Sequence, residues 1–188
     1  MSSGVYRRMP RHRFVAMAVA LGGGTAARFA DIERLLFIAW LAALAVLSWH
    51  DLRTRRIPTA IVNPATAVGA AALAGTAWRS GAPLRLGTAA ATAAGAYAAF
   101  AVLHALNPDG LGYGDVRLSG LLGLYLGWLG PAAMLTAALL GALGAAAAAL
   151  VLLAQRRGPG ATLPFGPFLA GGAAAVALLH AESPLGFG

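Results

Sequence analysis

Apolar residues in this chain come in long unbroken runs, neither alternating at a period of two nor confined to one stripe of a helix. Each run is closed by charged residues or by Pro and Gly, and six are near the length that crosses a hydrocarbon core: about 35–50, 57–78, 86–106, 116–130, 131–154 and 163–181. The fourth and fifth are separated only by Gly130-Pro131, which reads as a tight turn. The pattern predicts an all-α, polytopic membrane helical bundle with six core transmembrane helices. It makes residues 31–182 one membrane-embedded domain, with 183–188 a short C-terminal tail.

Residues 1–30 stand apart. An apolar piece from Phe14 to Ala27 is interrupted by Gly22-Gly23-Gly24 and preceded by Arg7, Arg8, Arg11 and Arg13. Three readings are open: a short N-terminal span, a signal anchor or interfacial helix, or sequence upstream of the true start. The short span is preferred because it fits the charge pattern described below.

Composition sharpens this picture. A chain of 188 residues that is 59% hydrophobic and 11% charged has too much apolar surface for one soluble globule. The net charge of +8 comes from arginine alone and sits at the ends of the runs, where it orients helices and meets lipid headgroups. Membrane lipid, not nucleic acid, is therefore the expected partner of the basic residues. With no cysteine, disulfides, thiolate zinc sites and thiol nucleophiles are excluded.

Arginines also suggest which way the chain runs. The N-terminal tail, the Arg53, Arg55, Arg56 connection and the Arg156-Arg157 connection fall on one side if the first short piece crosses, which makes that side cytoplasmic. Arg79 and Arg85 are weak exceptions on the other side. Two spans separate Asp51 from Asp115, so both aspartates return to the same, cytoplasmic face of a multi-pass protein of the cell membrane.

Those aspartates are the candidate chemistry. Only six residues are acidic, and these two stand at the ends of apolar runs, where an ionisable group is costly to keep. Two adjacent carboxyls share a proton, so one can act as base on a water while the other acts as acid on an amide carbonyl. The plainer alternative is that Asp51 pairs with Arg53, Arg55 or Arg56 and that Asp115 caps its helix. Gly112 and Gly114 flank Asp115 and permit close backbone approach. Gly120, Gly123, Gly127 and Gly130 recur at spacings of three and four, which favours helix packing over a substrate-facing role. His50 reads as an interfacial histidine in preference to a metal ligand with His104 and Asp109, so neither metal nor cofactor is expected. Pro164 and Pro167 either begin the last span or line a cavity.

Three ordered strings carry a resemblance: Asp51-Leu52-Arg53-Thr54-Arg55-Arg56-Ile57-Pro58, Gly112-Tyr113-Gly114-Asp115-Val116-Arg117-Leu118 and Pro164-Phe165-Gly166-Pro167-Phe168. Together they resemble the type IV prepilin peptidase family, membrane-embedded aspartyl endopeptidases of the Gly-x-Gly-Asp type. The resemblance implies that Asp51 and Asp115 are the catalytic pair, with Arg53, Arg56, Pro58, Gly112, Gly114, Arg117, Pro164, Gly166 and Pro167 as supporting motif positions. It implies leader-peptide cleavage at the cytoplasmic face on prepilin or pseudopilin substrates with an apolar N-terminal helix. Thr59 and Arg117 depart from the family, which usually has Asn and often Lys there. The cysteine-bearing N-methyltransferase domain of long family members has no counterpart, so a short, protease-only form is expected.

Competing readings differ in what they require. A transporter or proton-coupled channel predicts acidic residues deep in mid-span and an internal repeat, neither of which is seen. A presenilin-like protease is expected to carry Tyr before the first aspartate, where this chain has His50. An inactive pilin-binding homologue would keep both aspartates without turnover.

Overall fold

The computed structural model describes residues 11–108, 110–155 and 164–182, with side chains for residues 32–181 of these. The described residues form helices and their connections: α1 (Arg11–Thr54), α2 (Thr59–Ser80), α3 (Pro83–Leu106), α4 (Tyr113–Leu129), α5 (Pro131–Ala154) and α6 (Gly166–Glu182). Prolines mark several starts. Pro83 and Pro131 open α3 and α5, where a missing N–H costs no helical bond, and Pro58 is the N-cap of α2. The turn between α4 and α5 depends on Gly130 at φ 131°, a backbone state that side chains resist.

The first segment is continuous with the next apolar run. Residues 14–27 do not turn back before the next apolar run, because α1 continues through both as a single helix. No proline stands between them, and three glycines weaken a helix without ending it. Arg11 and Arg53 therefore lie at opposite ends of one helix.

Among the described residues, four helical stretches are long and apolar enough to cross a membrane: Ile32–Thr54, Thr59–Ser80, Pro83–Leu106 and Pro131–Ala154. Helices α4 and α6 have 17 residues each, about 26 Å at the α-helical rise. Their shortness follows from position. Helix α4 is the central post of the bundle, buried from Leu118 to Trp128 with Gly120 as a half-buried interruption, while α2, α3, α5 and α6 pack around it. Helix α1 meets it through aromatic rings: Trp40 stacks on Tyr125 at 5.0 Å, and Phe37 meets Tyr125 edge-on at 5.5 Å. Large apolar side chains such as Trp78, Leu84, Leu106 and Leu153 face outward, which suits contact with lipid.

Helix spacing is set by missing side chains. A Cβ at Gly123 would lie 2.8 Å from the Cα of Ala93, and one at Gly127 would lie 2.9 Å from the Cα of Ala89, so α3 and α4 touch backbone to backbone. The glycine row on α4 is thus a packing face, as its spacing suggests. Gly172 plays the same part between α6 and α5, where a Cβ would lie 2.3 Å from the carbonyl oxygen of Ala137.

Arg85, one of the exceptions to the charge pattern, is held internally. Its guanidinium lies 3.5 Å from the buried Glu33 carboxylate and 4.6 Å from the centre of the Trp128 ring. Paired in this way, it carries little weight in setting orientation.

Gly123→Val should lower stability by about 1–3 kcal/mol, the range for overpacking. Gly95→Ala, where an added Cβ meets nothing within 4 Å, should be neutral or slightly stabilising. Thermal unfolding of both variants in detergent checks the contrast; equal melting points would mean that the α3–α4 contact is looser than described.

Candidate active site

Asp51 sits in the last turn of α1 and Asp115 in the first turn of α4. The two helix ends place carboxyls in opposite fields: α4 offers its positive end to Asp115, whereas α1 turns its negative end on Asp51. Asp115 does not occupy the capping position, which belongs to Gly112. It stands three residues further on and reaches back, so that the Gly112 backbone N–H donates to its carboxylate. That leaves Oδ1 buried and without a partner among the described residues.

Asp51 finds its donor elsewhere. The backbone N–H of Gly166, at the start of α6, donates to its carboxylate. A Cβ on Gly166 would lie 2.7 Å from Oδ2 of Asp51, so only glycine lets this backbone come so close. Both aspartates are nearly sealed off, at 6% and 8% exposure, and the charge on Asp51 acts directly on Asp115. They line one cavity of about 290 Å³ together with Arg55, Arg56, Ile57, Gly112, Tyr113 and Gly114.

The segment between α1 and α2 gives the cavity its wall. Arg55 adopts a left-handed backbone (φ 55°), which turns the chain out of α1. The His50 ring braces this turn: its Nδ1 lies 3.0 Å from the Arg56 carbonyl oxygen, and the Thr54 hydroxyl donates to the His50 carbonyl at 2.9 Å. Since a carbonyl can only accept, Nδ1 carries the proton. The turn delivers Ile57 into the site, where a Cβ on Gly114 would lie 2.8 Å from its Cβ and one on Gly166 would lie 3.1 Å from its Cδ1.

Most of the sequence-derived positions therefore meet here. Asp51, Arg56, Gly112, Gly114 and Asp115 line the cavity, and Gly166 donates into it. Arg53 lies apart, with its guanidinium 4.2 Å from the centre of the Trp49 ring. Pro58 caps α2, and Pro164 and Pro167 flank the start of α6, in keeping with a helix-starting role. Arg117 faces α2, where it donates to the Thr59 hydroxyl and lies over the Tyr113 ring. Asp109 falls outside the described residues, and among those described no group of three His, Cys, Asp or Glu side chains could hold a metal ion.

Two contributors escape a reading of the sequence. Ile57 looks like the first apolar residue of a span, and Tyr113 like a spacer between glycines; only packing shows that both line the cavity. The Thr59–Arg117 contact is similarly hidden, although both residues stand out as departures from the family pattern.

Comparison with known proteins fits this geometry. The sequence matches the profile of the type IV leader peptidase family over residues 35–146, more than half of its length. The chain belongs to that family. It is also 35% identical over 169 residues to the prepilin leader peptidase/N-methyltransferase of Burkholderia pseudomallei, equally in strains 1026b and K96243. The alignment covers 83% of this chain and 50% of each relative, so the chain spans about half the length of these curated proteins. No solved structure matches it. The family match stops short of α6, and packing, through Gly166 and Ile57, is what attaches that helix to the site.

The Thr59–Arg117 contact should appear as energetic coupling. A double-mutant cycle of Thr59→Val and Arg117→Gln, read by thermal unfolding in detergent, should return a coupling of about 1 kcal/mol. Strict additivity would mean that the pair contributes nothing to holding α2 on α4.

Proposed function

We propose that this protein is a membrane-embedded aspartyl endopeptidase that removes leader peptides from type IV prepilin-like or pseudopilin substrates, with Asp51 and Asp115 as its catalytic pair. The observation that carries this reading is the convergence of two buried, interacting carboxyls in one cavity, supplied by segments far apart in the chain. Membership of the family supports the reaction class. The relatives' names carry two activities, and the geometry here speaks for the peptidase.

In this reading one carboxyl is ionised and the other protonated, because two charges so close are mutually unfavourable. The ionised group takes a proton from water as the water oxygen attacks the scissile carbonyl carbon, and the protonated group donates to the carbonyl oxygen. Collapse of the tetrahedral diol breaks the C–N bond, with a proton passing from the dyad to the leaving nitrogen. Two carboxyls suffice for these steps, so no metal or cofactor is invoked. The unpartnered Oδ1 of Asp115 leaves that carboxyl able to bond the water or the scissile carbonyl.

Placement of the site favours cleavage at the cytoplasmic face. Helices α2 and α3 lie between the two aspartates, so two crossings return the chain to one side, and Arg53, Arg55 and Arg56 mark that side by the positive-inside rule. An apolar substrate helix could then remain in lipid while its polar cleavage site enters the cavity.

Asp51→Asn and Asp115→Asn should each lower cleavage by about 100-fold or more while the protein still accumulates in the membrane. The assay mixes purified protein in liposomes with a prepilin from the same genome and follows the released leader by mass spectrometry. Turnover retained by either variant would remove that aspartate from the mechanism. A wild type that binds prepilins without cleaving them would instead favour the pilin-binding homologue.

A further inference from the structure

Ile57 occupies an unusual place. It is the one aliphatic side chain among the residues that line the cavity, which are otherwise charged residues, glycines and Tyr113, and it fills the space left by two glycines from different helices. Its Cβ and Cγ1 rest on Gly114, directly before Asp115, and its Cδ1 rests on Gly166, whose backbone donates to Asp51. One aliphatic side chain thus touches the backbone that carries one carboxyl and the backbone that holds the other.

Nothing soft stands in these contacts. On the α4 and α6 sides they are made to glycines, which have no side-chain rotamers to absorb a change in size. On its own side Ile57 is fixed by the left-handed turn at Arg55 and by Pro58, which restricts the backbone before it. Isoleucine is also branched at Cβ and stiff about χ1. A rigid wedge between rigid walls transmits its width directly to the two helix ends.

We infer that Ile57 is a positioning residue whose side chain sets the separation of the Asp51 and Asp115 carboxyls. The inference rests on the peptidase reading for its consequence in catalysis, but the spacing it describes can be read without turnover. A dyad that shares a proton depends on that separation, and a misplacement of about 1 Å costs on the order of 100-fold in rate.

The test has two arms. In the first, Ile57→Val keeps the atoms that rest on Gly114 and loses the Cδ1 that rests on Gly166, and Ile57→Ala keeps only Cβ. Cleavage kcat should fall in the order Ile, Val, Ala, reaching a loss of about 10- to 100-fold, with KM little changed. A rise in KM at constant kcat would overturn the inference and make Ile57 a substrate contact, and unchanged kinetics would overturn it outright. If Ile57→Ala fails to accumulate, Ile57→Val still decides. The second arm uses the absence of cysteine in the chain. Asp51→Cys/Asp115→Cys is treated in native membranes with a short thiol-specific crosslinker, with and without Ile57→Val. The yield or rate should change several-fold when the wedge is trimmed; an unchanged rate, or no crosslink in the parent pair, would overturn the inference. A response in this arm from a protein that cleaves no prepilin would leave the positioning role standing and the peptidase reading refuted.

Discussion

Close approach of helix backbones, possible only where side chains are missing, is the constraint on which this structure depends. In lipid there is no hydrophobic drive to press one apolar helix on another, so association comes from packing and from polar contacts. Gly123 and Gly127 let α4 lie directly on α3, and Gly172 lets α6 lie on α5. The short, central α4 is enclosed as a result. Its N-terminal turn is then held as firmly as the bundle itself.

The same device builds the candidate site. Gly166 comes close enough for its N–H to serve Asp51, and Gly114 comes close enough for Ile57 to seat against it. Two carboxyls at 6% and 8% exposure are expensive to bury, and the fold offsets that cost with one backbone donor for each. The compensation is incomplete by design of the geometry, since one oxygen of Asp115 keeps no partner among the described residues. The catalytic reading proposed above calls for that kind of opening.

Charged residues elsewhere are sorted by whether the fold neutralises them. Arg85 is drawn inward to Glu33 and Trp128, Arg117 is spent on Thr59 and Tyr113, and Arg53 lies on Trp49. Counting arginines by position alone therefore overstates some and understates others. The unbroken α1 makes the same point, because a basic, apolar, glycine-interrupted stretch reads as a separate segment until its backbone is seen to continue.

By itself the sequence determined the class of fold, the six helical runs and the identity of the two aspartates as the candidate chemistry. Those features are local: run length, breakers and the rarity of acidic residues are properties of neighbouring letters. It also determined the parity that returns Asp51 and Asp115 to one face. Tertiary structure alone decided that α4 is the buried post, that Gly166 serves Asp51, that Arg117 meets Thr59 and that Ile57 joins the site. Each of these joins residues from different helices, and hydropathy has the same period whichever neighbour a helix acquires. Contact between helices is fixed by which small residues face each other, and that complementarity exists only once both helices are in place.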